Sequence, residues 1–257
     1  MKSIRLEDVE NYIHKKRKVT LEELTEVFDV SMNTVRRDIK ELLKKETIKK
    51  VYGGVESLKN EEEDIYLNDF KNRKKKNMTE KEKIAKIAAE FIKDGDTIFI
   101  DSGSTTVSIL DNVDSDISLT VVTNSLDVII KVSKFSNINL LVPASFYKKK
   151  TRSFIEFDTQ TDNVLDRLNI DKCFMAASSI SKEQGVMNAT TAEYVIKNKV
   201  MKRSLKKYLL VDKTKYGKTS FITYAEIKEF DAVITDGIPN EYKEIFEKHN
   251  IKTQIVE

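Results

Sequence analysis

The sequence has few of the features that mark disulfide-rich, disordered, membrane or secreted proteins. Cys173 is the only cysteine, so no disulfide can form within the chain, and this agrees with a reducing compartment. Only 7 glycines and 2 prolines are present, and this composition does not indicate disorder. No segment approaches the roughly 18 consecutive apolar residues of a membrane span, and the N-terminus lacks the apolar run of a secretion signal. We therefore expect a soluble, cytoplasmic protein that does not contact a membrane.

Positive charge is concentrated near one end of the chain. The net charge of +3 over 257 residues is too small to indicate a partner by itself. Residues 1–60, however, contain 14 Lys or Arg against 11 Asp or Glu, so the whole excess lies in the first quarter. Because the length exceeds that of one typical domain, we expect two units, the first of them slightly basic.

Three short helices are predicted within the first 45 residues. Apolar residues recur with helical spacing from Ile4 to Ile13. Thr20 can cap a second helix, and Ser31, after a tight turn, can cap a third, because each hydroxyl can accept a bond from an early backbone amide. His14 lies among four cations in HKKRK, where a surface position is expected rather than a metal site.

The third helix has two chemically different faces when its residues are placed 100° apart. The apolar face contains Met32, Val35, Ile39, Leu42 and Leu43. The opposite face is polar and then cationic, and contains Asn33, Arg37, Lys40 and Lys44, with Thr34 beside them and Arg36 on a flank. Two short helices joined by a tight turn, with Asn, Thr and Arg early in the second, match a recognition helix in the DNA major groove. A merely solvated face is the alternative.

The following segment favours DNA binding. KKVYGGV, residues 49–55, predicts a basic β hairpin that turns at its two glycines. Three helices and a basic hairpin make a winged helix-turn-helix, which we assign to residues 1–56. The DNA-binding residues expected in it are Thr20, Ser31, Asn33, Thr34, Arg36, Arg37, Lys40, Lys50, Tyr52 and Gly53.

Residues 5–42, followed by KKVYGG, resemble the N-terminal domain of the DeoR family of bacterial transcriptional regulators, and TVRRDI is the most specific part. The resemblance implies that four residues belong to the recognition helix and its DNA contacts: Ser31, Thr34, Arg36 and Arg37. The sequence departs from the family at Glu46, where a helix-ending glycine is usual. It also departs at Lys50 and Tyr52, which replace the more usual Arg and His of the wing.

Residues 57–77 mix blocks of charge with few apolar positions and predict a linker, after which residues 78–257 have a different pattern. Six short apolar runs alternate with helical stretches: TIFID, LTVV, INLLV, CFMAA, YLLVD and DAVIT. This alternation predicts a Rossmann-like α/β domain with an open, mainly parallel sheet. Thr79 and Glu82 are placed to form a capping box for its first helix.

Polar side chains follow three of these predicted strands, where ligands bind in open α/β sheets. The first group is Asp101, Ser102, Gly103, Ser104, Thr105 and Thr106; the second is Thr123, Asn124 and Ser125; the third is Asp212, Thr214 and Lys215. A glycine, hydroxyls and the free amides of a helix start favour an anion such as phosphate. The spacing of a nucleotide P-loop is absent. Each group alone could be a helix cap, but three groups at one sheet edge favour a ligand site.

This half resembles the C-terminal sensor domain of the same family through IDSGSTT, VVTNS, DKCFMAAS, VDKTKYG and DAVITD, so the resemblance spans nearly the whole chain. That domain is similar to ribose-5-phosphate isomerase and glucosamine-6-phosphate deaminase, which implies a phosphorylated sugar as ligand. By this analogy residues 102–106 hold the phosphate or the sugar hydroxyls, and Lys215 supplies a cation. Ala144, Ser145 and Glu156 stand where the family usually has glycine.

The sequence therefore predicts a regulator that binds double-stranded operator DNA as a homo-oligomer of two or more chains. We expect a repressor of a sugar-uptake or sugar-catabolism operon, released by a phosphorylated sugar, with no cofactor and no metal site. A sugar-phosphate isomerase is one alternative, although Asp101, Glu183 and Asp171 are the few acids available for such chemistry. An architectural DNA binder whose second domain only oligomerises is another.

Overall fold

The computed structural model describes residues 2–16, 18–45, 47–58, 76–156 and 164–256. The chain forms two compact units, residues 1–65 and 66–257. Glu46 and residues 59–75 of the expected linker lie outside the described residues.

The N-terminal unit is a winged helix-turn-helix, as predicted. Its elements are α1 (Lys2–Lys16), β1 (Lys18–Thr20), α2 (Leu21–Phe28), α3 (Met32–Lys44), β2 (Ile48–Val51) and β3 (Gly54–Ser57). The strands form a small antiparallel sheet in the order β1-β3-β2. Its core is formed by buried residues from all three helices and the sheet, among them Ile13, Leu24, Ile39, Leu42 and Val55.

Two predicted helix caps are confirmed and one surface assignment is wrong. The Thr20 hydroxyl accepts a bond from the Glu23 amide, and the Ser31 hydroxyl accepts one from the Thr34 amide. His14 is buried instead of exposed, with its Nδ1 2.7 Å from the Ser57 hydroxyl. The sequence pattern could not show this, because Ser57 is 43 residues away.

The C-terminal unit has a larger set of elements. They are α4 (Met78–Ala89), β4 (Thr97–Ile100), β5 (Leu119–Thr123), α5 (Leu126–Val132), β6 (Ile138–Leu141), β7 (Phe146–Lys148), β8 (Ser153–Ile155), β9 (Ile170–Ala176), β10 (Ser179–Ser181), β11 (Gly185–Asn188), α6 (Thr191–Arg203), β12 (Ser204–Leu210), β13 (Ile222–Ala225), β14 (Ala232–Thr235), α7 (Asn240–Lys248) and β15 (Lys252–Ile255). Short 3-10 helices span Thr106–Asn112, Val164–Asp166, Lys213–Lys215 and Ile227–Glu229.

A seven-stranded parallel sheet organises this unit in the order β15-β14-β12-β9-β4-β5-β6. All six predicted apolar runs are strands of this sheet, so the Rossmann-like α/β prediction is confirmed. One face packs against α6 and α7, and the other packs against α4, α5 and the 3-10 helix Thr106–Asn112. The parallel arrangement brings the carboxyl ends of β5, β4, β9 and β12 together along one edge.

Two local predictions in this unit are wrong. Asn77, with φ of 54°, precedes α4 and no side chain caps the helix, so Thr79 and Glu82 lie inside it and form no capping box. The element after β4 is a seven-residue 3-10 helix, which is too short to supply a substantial helix dipole. Within the described parts of the chain, no helix is long and apolar enough to cross a membrane.

Candidate DNA-binding surface and effector site

The outward face of α3 carries cations that are held by no other described residue. Arg36, Arg37 and Lys40 are exposed, and none of them has a hydrogen bond or an ion pair with another part of the described chain. Lys50 on β2 is also exposed and has no hydrogen bond or ion pair with another described residue. We refer to these four residues as the free cations. Asn33 is also exposed on α3, one residue before the half-buried Thr34.

Other lysines of the N-terminal unit are neutralised by carboxylates. Their pairs are Lys44 with Glu41 at 3.2 Å, Lys45 with Glu10 at 3.3 Å and Lys49 with Glu56 at 3.4 Å. Burial acts to raise the pKa of Glu10, but the Thr47 hydroxyl and the Lys45 charge outweigh it and lower that pKa. The free cations therefore differ from the lysines beside them in having no partner within the part of the chain that the structure describes.

Asp38, the acid next to the arginines of α3, does not form an ion pair with them. This residue follows Arg37 but is turned inward and buried, where Arg5 of α1 donates to both carboxylate oxygens at 3.0 and 3.2 Å. The charged fork fixes α3 to α1. The acid adjacent to the arginines thus stabilises the fold and does not neutralise the outward face.

The hairpin that follows α3 has the geometry of a wing. Val51 pairs with Gly54, which leaves Tyr52 and Gly53 at the tip. Gly53 has φ of 77°, and the Tyr52 side chain is fully exposed. A Cβ on Gly54 would lie 2.1 Å from the carbonyl oxygen of Val19, so only glycine allows β1 to pack this closely.

In the C-terminal unit, residues 101–106 form a tightly held loop after β4. A Cβ on Gly103 would lie 2.2 Å from the Cβ of Ala176, so glycine is required where the loop crosses the end of β9. The buried Thr106 hydroxyl donates to the carbonyl oxygens of Asp101 at 2.6 Å and of Gly103 at 2.9 Å. Ser104 is half-buried and Thr105 is buried in the same loop.

The end of β5 lies beside this loop, because Ile100 pairs with Thr123. The Thr123 hydroxyl donates to the Ile100 carbonyl at 2.6 Å, and Ser125 caps α5. The Asn124 amide nitrogen donates to the Phe154 carbonyl at 3.2 Å and so attaches the β7–β8 hairpin. Thr106, Thr123 and Ser125 therefore use their hydroxyls to build the site.

Four buried polar atoms along this edge have no hydrogen-bond partner among the described residues. They are Asn124 Oδ1 after β5, Ser102 Oγ after β4, Ser179 Oγ after β9 and the Tyr216 hydroxyl after β12. The residues that carry these atoms follow four neighbouring strands of the sheet, and we call the four atoms the polar row. Burial raises the pKa of Tyr216, so this hydroxyl stays protonated. Buried polar groups without partners are costly and uncommon, so the polar row is the candidate contact surface for a ligand.

Ser179 and Tyr216 were missed by the sequence analysis. Tyr216 lies in the segment VDKTKYG, and Ser179 directly follows the segment DKCFMAAS; both segments were singled out. Their position after predicted strands was the available signal. Ile180, the residue after Ser179, forms an isolated β bridge with Tyr216, so the backbones of these two segments are adjacent.

A buried ion pair lies at the base of the loop and was also missed. Lys197 of α6 donates to Asp101 Oδ2 at 2.5 Å and to the Ala176 carbonyl at 2.6 Å, and both side chains of the pair are almost fully buried. Its ammonium lies 4.7 Å from the centre of the Tyr224 ring, and the Tyr224 hydroxyl donates to the same carbonyl. Burial raises the pKa of Tyr224 well above its ordinary value, so this hydroxyl stays protonated.

The three groups of effector residues predicted from the sequence are not equally close to one another in the fold. The loop 101–106 and residues 123–125 follow adjacent strands, whereas Lys215 follows β12, which β9 separates from β4. At about 4.8 Å per strand, β12 lies roughly 10 Å from β4. Asp212 accepts the Thr214 amide at 3.0 Å and caps the 3-10 helix Lys213–Lys215, where Lys215 is half-buried.

The acids considered for isomerase chemistry are used elsewhere. Asp101 is held by Lys197, and the exposed Glu183 accepts a bond from the Ser181 hydroxyl at 2.7 Å. Asp171 accepts the Thr97 amide near the opposite end of the strands. These three acids do not meet at the polar row.

The residues at usual glycine positions are accommodated by packing. Ala144 packs against the core, and Ser145 is exposed before β7. Glu156 forms an ion pair with Lys199 of α6 at 3.3 Å. These contacts lie beside the β7–β8 hairpin that borders Asn124.

Comparison with known proteins identifies both units. Residues 5–61 match the DeoR-like helix-turn-helix domain, and residues 76–237 match the DeoR C terminal sensor domain. The chain is 42% identical over 252 residues to the HTH-type transcriptional regulator IolR of Bacillus subtilis, which covers 98% of each protein. It is 31% identical over 253 residues to the lactose phosphotransferase system repressor of Staphylococcus aureus, covering 98% of this chain and 96% of the relative. A solved structure of ribose 5-phosphate isomerase A from Methanocaldococcus jannaschii aligns with 19% identity and a TM-score of 0.38 over 55% of each chain. The chain therefore belongs to the DeoR family of helix-turn-helix transcriptional regulators.

Proposed function

We propose that this regulator represses an operon for sugar uptake or catabolism and leaves its operator when a phosphorylated sugar binds the C-terminal unit. The observation that carries the ligand half of the proposal is the polar row. Its atoms are one amide oxygen and three hydroxyls, which suit the hydroxyls of a sugar better than an apolar ligand. The name of the Staphylococcus aureus relative supports both repression and a sugar-related operon.

The free cations support the DNA half of the proposal. Arg36, Arg37 and Lys40 stand on the outward face of α3, where a recognition helix meets base edges and phosphates. Thr20 and Ser31, whose hydroxyls cap α2 and α3, are assigned to the backbone contacts at the helix starts. Lys50, Tyr52 and Gly53 of the wing are assigned to the flanking phosphates.

The effector residues divide into two roles under this proposal. Ser102, Ser104 and Asn124, with Ser179 and Tyr216, contact the ligand, and Lys215 supplies a cation to the phosphate. Asp101, Gly103, Thr106, Thr123 and Ser125 shape the loop and the strand ends, and Thr105 lies buried between these groups. Turnover is not part of the proposal, because the candidate acids have other partners.

Regulation requires an arrangement of at least two chains. Helix-turn-helix proteins bind paired half-sites whose spacing matches the distance between two recognition helices. We propose that the protein is a cytoplasmic homo-oligomer and that the ligand favours an arrangement with a different helix spacing. The ligand can shift this equilibrium only by its differential affinity for the two arrangements.

Thermal denaturation with a panel of pentose and hexose phosphates tests the ligand class. A ligand that binds only the folded state must raise the melting temperature. We expect at least one sugar phosphate to do so, whereas its unphosphorylated sugar has a smaller effect. No response to any member would remove the sensor proposal and favour the architectural alternative, and consumption of the sugar phosphate would favour the isomerase.

Selection of bound fragments from genomic DNA tests the other half. We expect a small number of enriched sites, each containing two related half-sites and located near genes for sugar uptake or catabolism. Uniform recovery of the genome would contradict a sequence-specific regulator.

A further inference from the structure

The proposed anion site begins with a carboxylate, which should repel the ligand. Asp101 immediately precedes Ser102, whose hydroxyl has no partner among the described residues. Asp101 is 1% exposed, so solvent does not screen its charge. A buried carboxylate beside a phosphorylated ligand is unfavourable unless a cation neutralises it. Lys197 is that cation, and it comes from α6, 96 residues away in the sequence.

The same pair also holds the loop in position. Asp101 accepts the Ser102 amide on Oδ1 at 2.8 Å and the Ala176 amide on Oδ2 at 2.9 Å, so one carboxylate joins the ends of β4 and β9. Lys197 donates to Asp101 and to the Ala176 carbonyl, and lies over Tyr224 of β13. All of these contacts lie beneath the loop that Gly103 packs onto Ala176.

We infer that Lys197 is the positioning residue of the effector site: it neutralises Asp101 and clamps β4 to β9, and so turns residues 102–106 into a loop that accepts an anion. This inference rests on the proposed function. Lys197 acts through Asp101 and does not contact the ligand, because its ammonium is already engaged by Asp101, the Ala176 carbonyl and the Tyr224 ring.

The inference predicts that the two members of the pair respond differently to substitution. Lys197→Met leaves an unpaired negative charge beside the ligand, whereas Asp101→Asn removes that charge and leaves a cation. A pair that merely stabilises the fold would make Asp101→Asn bind no better than Lys197→Met, because Asn also loses one of the two oxygens that accept the Ser102 and Ala176 amides. Lys202→Met, an exposed lysine of α6 with no partner among the described residues, is the matched control.

Isothermal titration with ribose 5-phosphate and glucose 6-phosphate measures this difference. We expect Asp101→Asn to bind the responding probe at least about tenfold more tightly than Lys197→Met, since the variants differ by the sign of one nearby charge. Lys202→Met should bind like the wild type. Equal affinity of the Lys197 and Asp101 variants would overturn the inference.

Rescue by a conservative variant gives a second readout that tests the charge of Lys197. Lys197→Arg keeps a cation beside the Asp101 carboxylate, so the folded variant should recover most of the affinity that Lys197→Met loses. A Lys197→Arg protein that binds the probe as weakly as Lys197→Met would contradict the inference.

The wild-type titration separates failure of this inference from failure of the proposed function. If the wild type binds neither probe, the proposed function fails. If the wild type binds and the Lys197 and Asp101 variants bind equally, only the inference fails. Should Lys197→Met not fold, the neutral double variant Asp101→Asn/Lys197→Met replaces it. Binding by the double variant supports neutralisation of Asp101 as the role of Lys197, and loss of binding by a folded double variant overturns that role.

Discussion

The two units of this protein present different chemical groups to the anions that we propose they bind. In the N-terminal unit, the free cations are exposed and unpaired, and the nearby acid Asp38 is turned inward. In the C-terminal unit, the cation nearest the proposed site is buried and paired, and the atoms without partners are neutral. DNA is a polyanion approached from solvent, so exposed charge attracts it over a distance. A small ligand is enclosed, so hydrogen-bonding atoms placed in advance select it.

Two glycine substitutions should have the largest effects on stability and binding, and each should impair only one of the two units. Gly54→Ala places a methyl group 2.1 Å from the Val19 carbonyl, and Gly103→Ala places one 2.2 Å from the Ala176 Cβ. Each should cost about 3 kcal/mol of stability in its own unit. We expect Gly54→Ala to lose DNA binding but keep the thermal shift with ligand, and Gly103→Ala to do the reverse.

Gly217→Ala is the control for both glycine variants. Gly217 has φ of 67°, but a Cβ there meets nothing within 4 Å, so strain alone should cost about 1 kcal/mol. Calorimetry with DNA-binding and ligand-shift assays measures all three proteins. Loss of both activities in either of the first two variants would contradict the separation of roles.

Arg37→Ala should weaken the DNA-binding side without changing the fold. An exposed arginine on a recognition helix is expected to contribute about 1–3 kcal/mol and to relax base preference at one position. Fluorescence anisotropy with a selected operator and its single-base variants measures both effects. Lys44→Ala, whose lysine is paired with Glu41, should change affinity much less. Equal losses in the two variants would mean that general charge, not the α3 face, binds DNA.

Ser102→Ala tests whether the Ser102 hydroxyl of the C-terminal unit contributes to ligand binding and not to stability. Removing a buried hydroxyl that has no partner should leave stability unchanged or raise it by up to about 1 kcal/mol, while ligand affinity falls about tenfold. Thr106→Val removes a hydroxyl that donates to two carbonyls and should lower stability by about 1–3 kcal/mol. Denaturant unfolding and isothermal titration distinguish the pair. A destabilised Ser102→Ala protein would show that this hydroxyl has a structural role.

The smallest expected effect distinguishes two adjacent lysines of the wing. Lys50→Ala should reduce the salt dependence of DNA binding by about one unit of slope, the signature of one lost phosphate contact. Lys49→Ala should leave the slope nearly unchanged, because Lys49 is neutralised by Glu56. Affinities measured at several salt concentrations give both slopes. Identical slopes for the two variants would remove Lys50 from the interface.

Local spacing in the sequence predicted the elements whose environment depends on nearby residues. The two faces of α3 follow from helical periodicity, and the apolar runs identified six parallel strands, because buried strands of such sheets are apolar throughout. β15 was missed because its residues, KTQI, are mostly polar and exposed at the sheet edge. The β10-β11-β13 sheet was missed because its pairing depends on tertiary context.

The candidate site was predicted less completely than the fold. Residues 101–106 and 123–125 were found because they follow predicted strands. The Asp101–Lys197 pair was not, since no local pattern joins residues 96 positions apart. The cap of α4 was misplaced because Asn77 adopts a left-handed conformation that makes no side-chain bond. Long-range pairs and backbone geometry are set by the folded chain and leave little trace in residue spacing.

Operator binding measured against sugar-phosphate concentration tests the link between the two units most directly. The sugar phosphate that raises the melting temperature most is titrated into a complex of the protein with a labelled operator, and anisotropy reports the DNA bound. We expect the apparent Kd for DNA to rise about 5- to 150-fold, the usual range of coupling between sites. A sugar phosphate that stabilises the protein but leaves operator affinity unchanged would contradict the account.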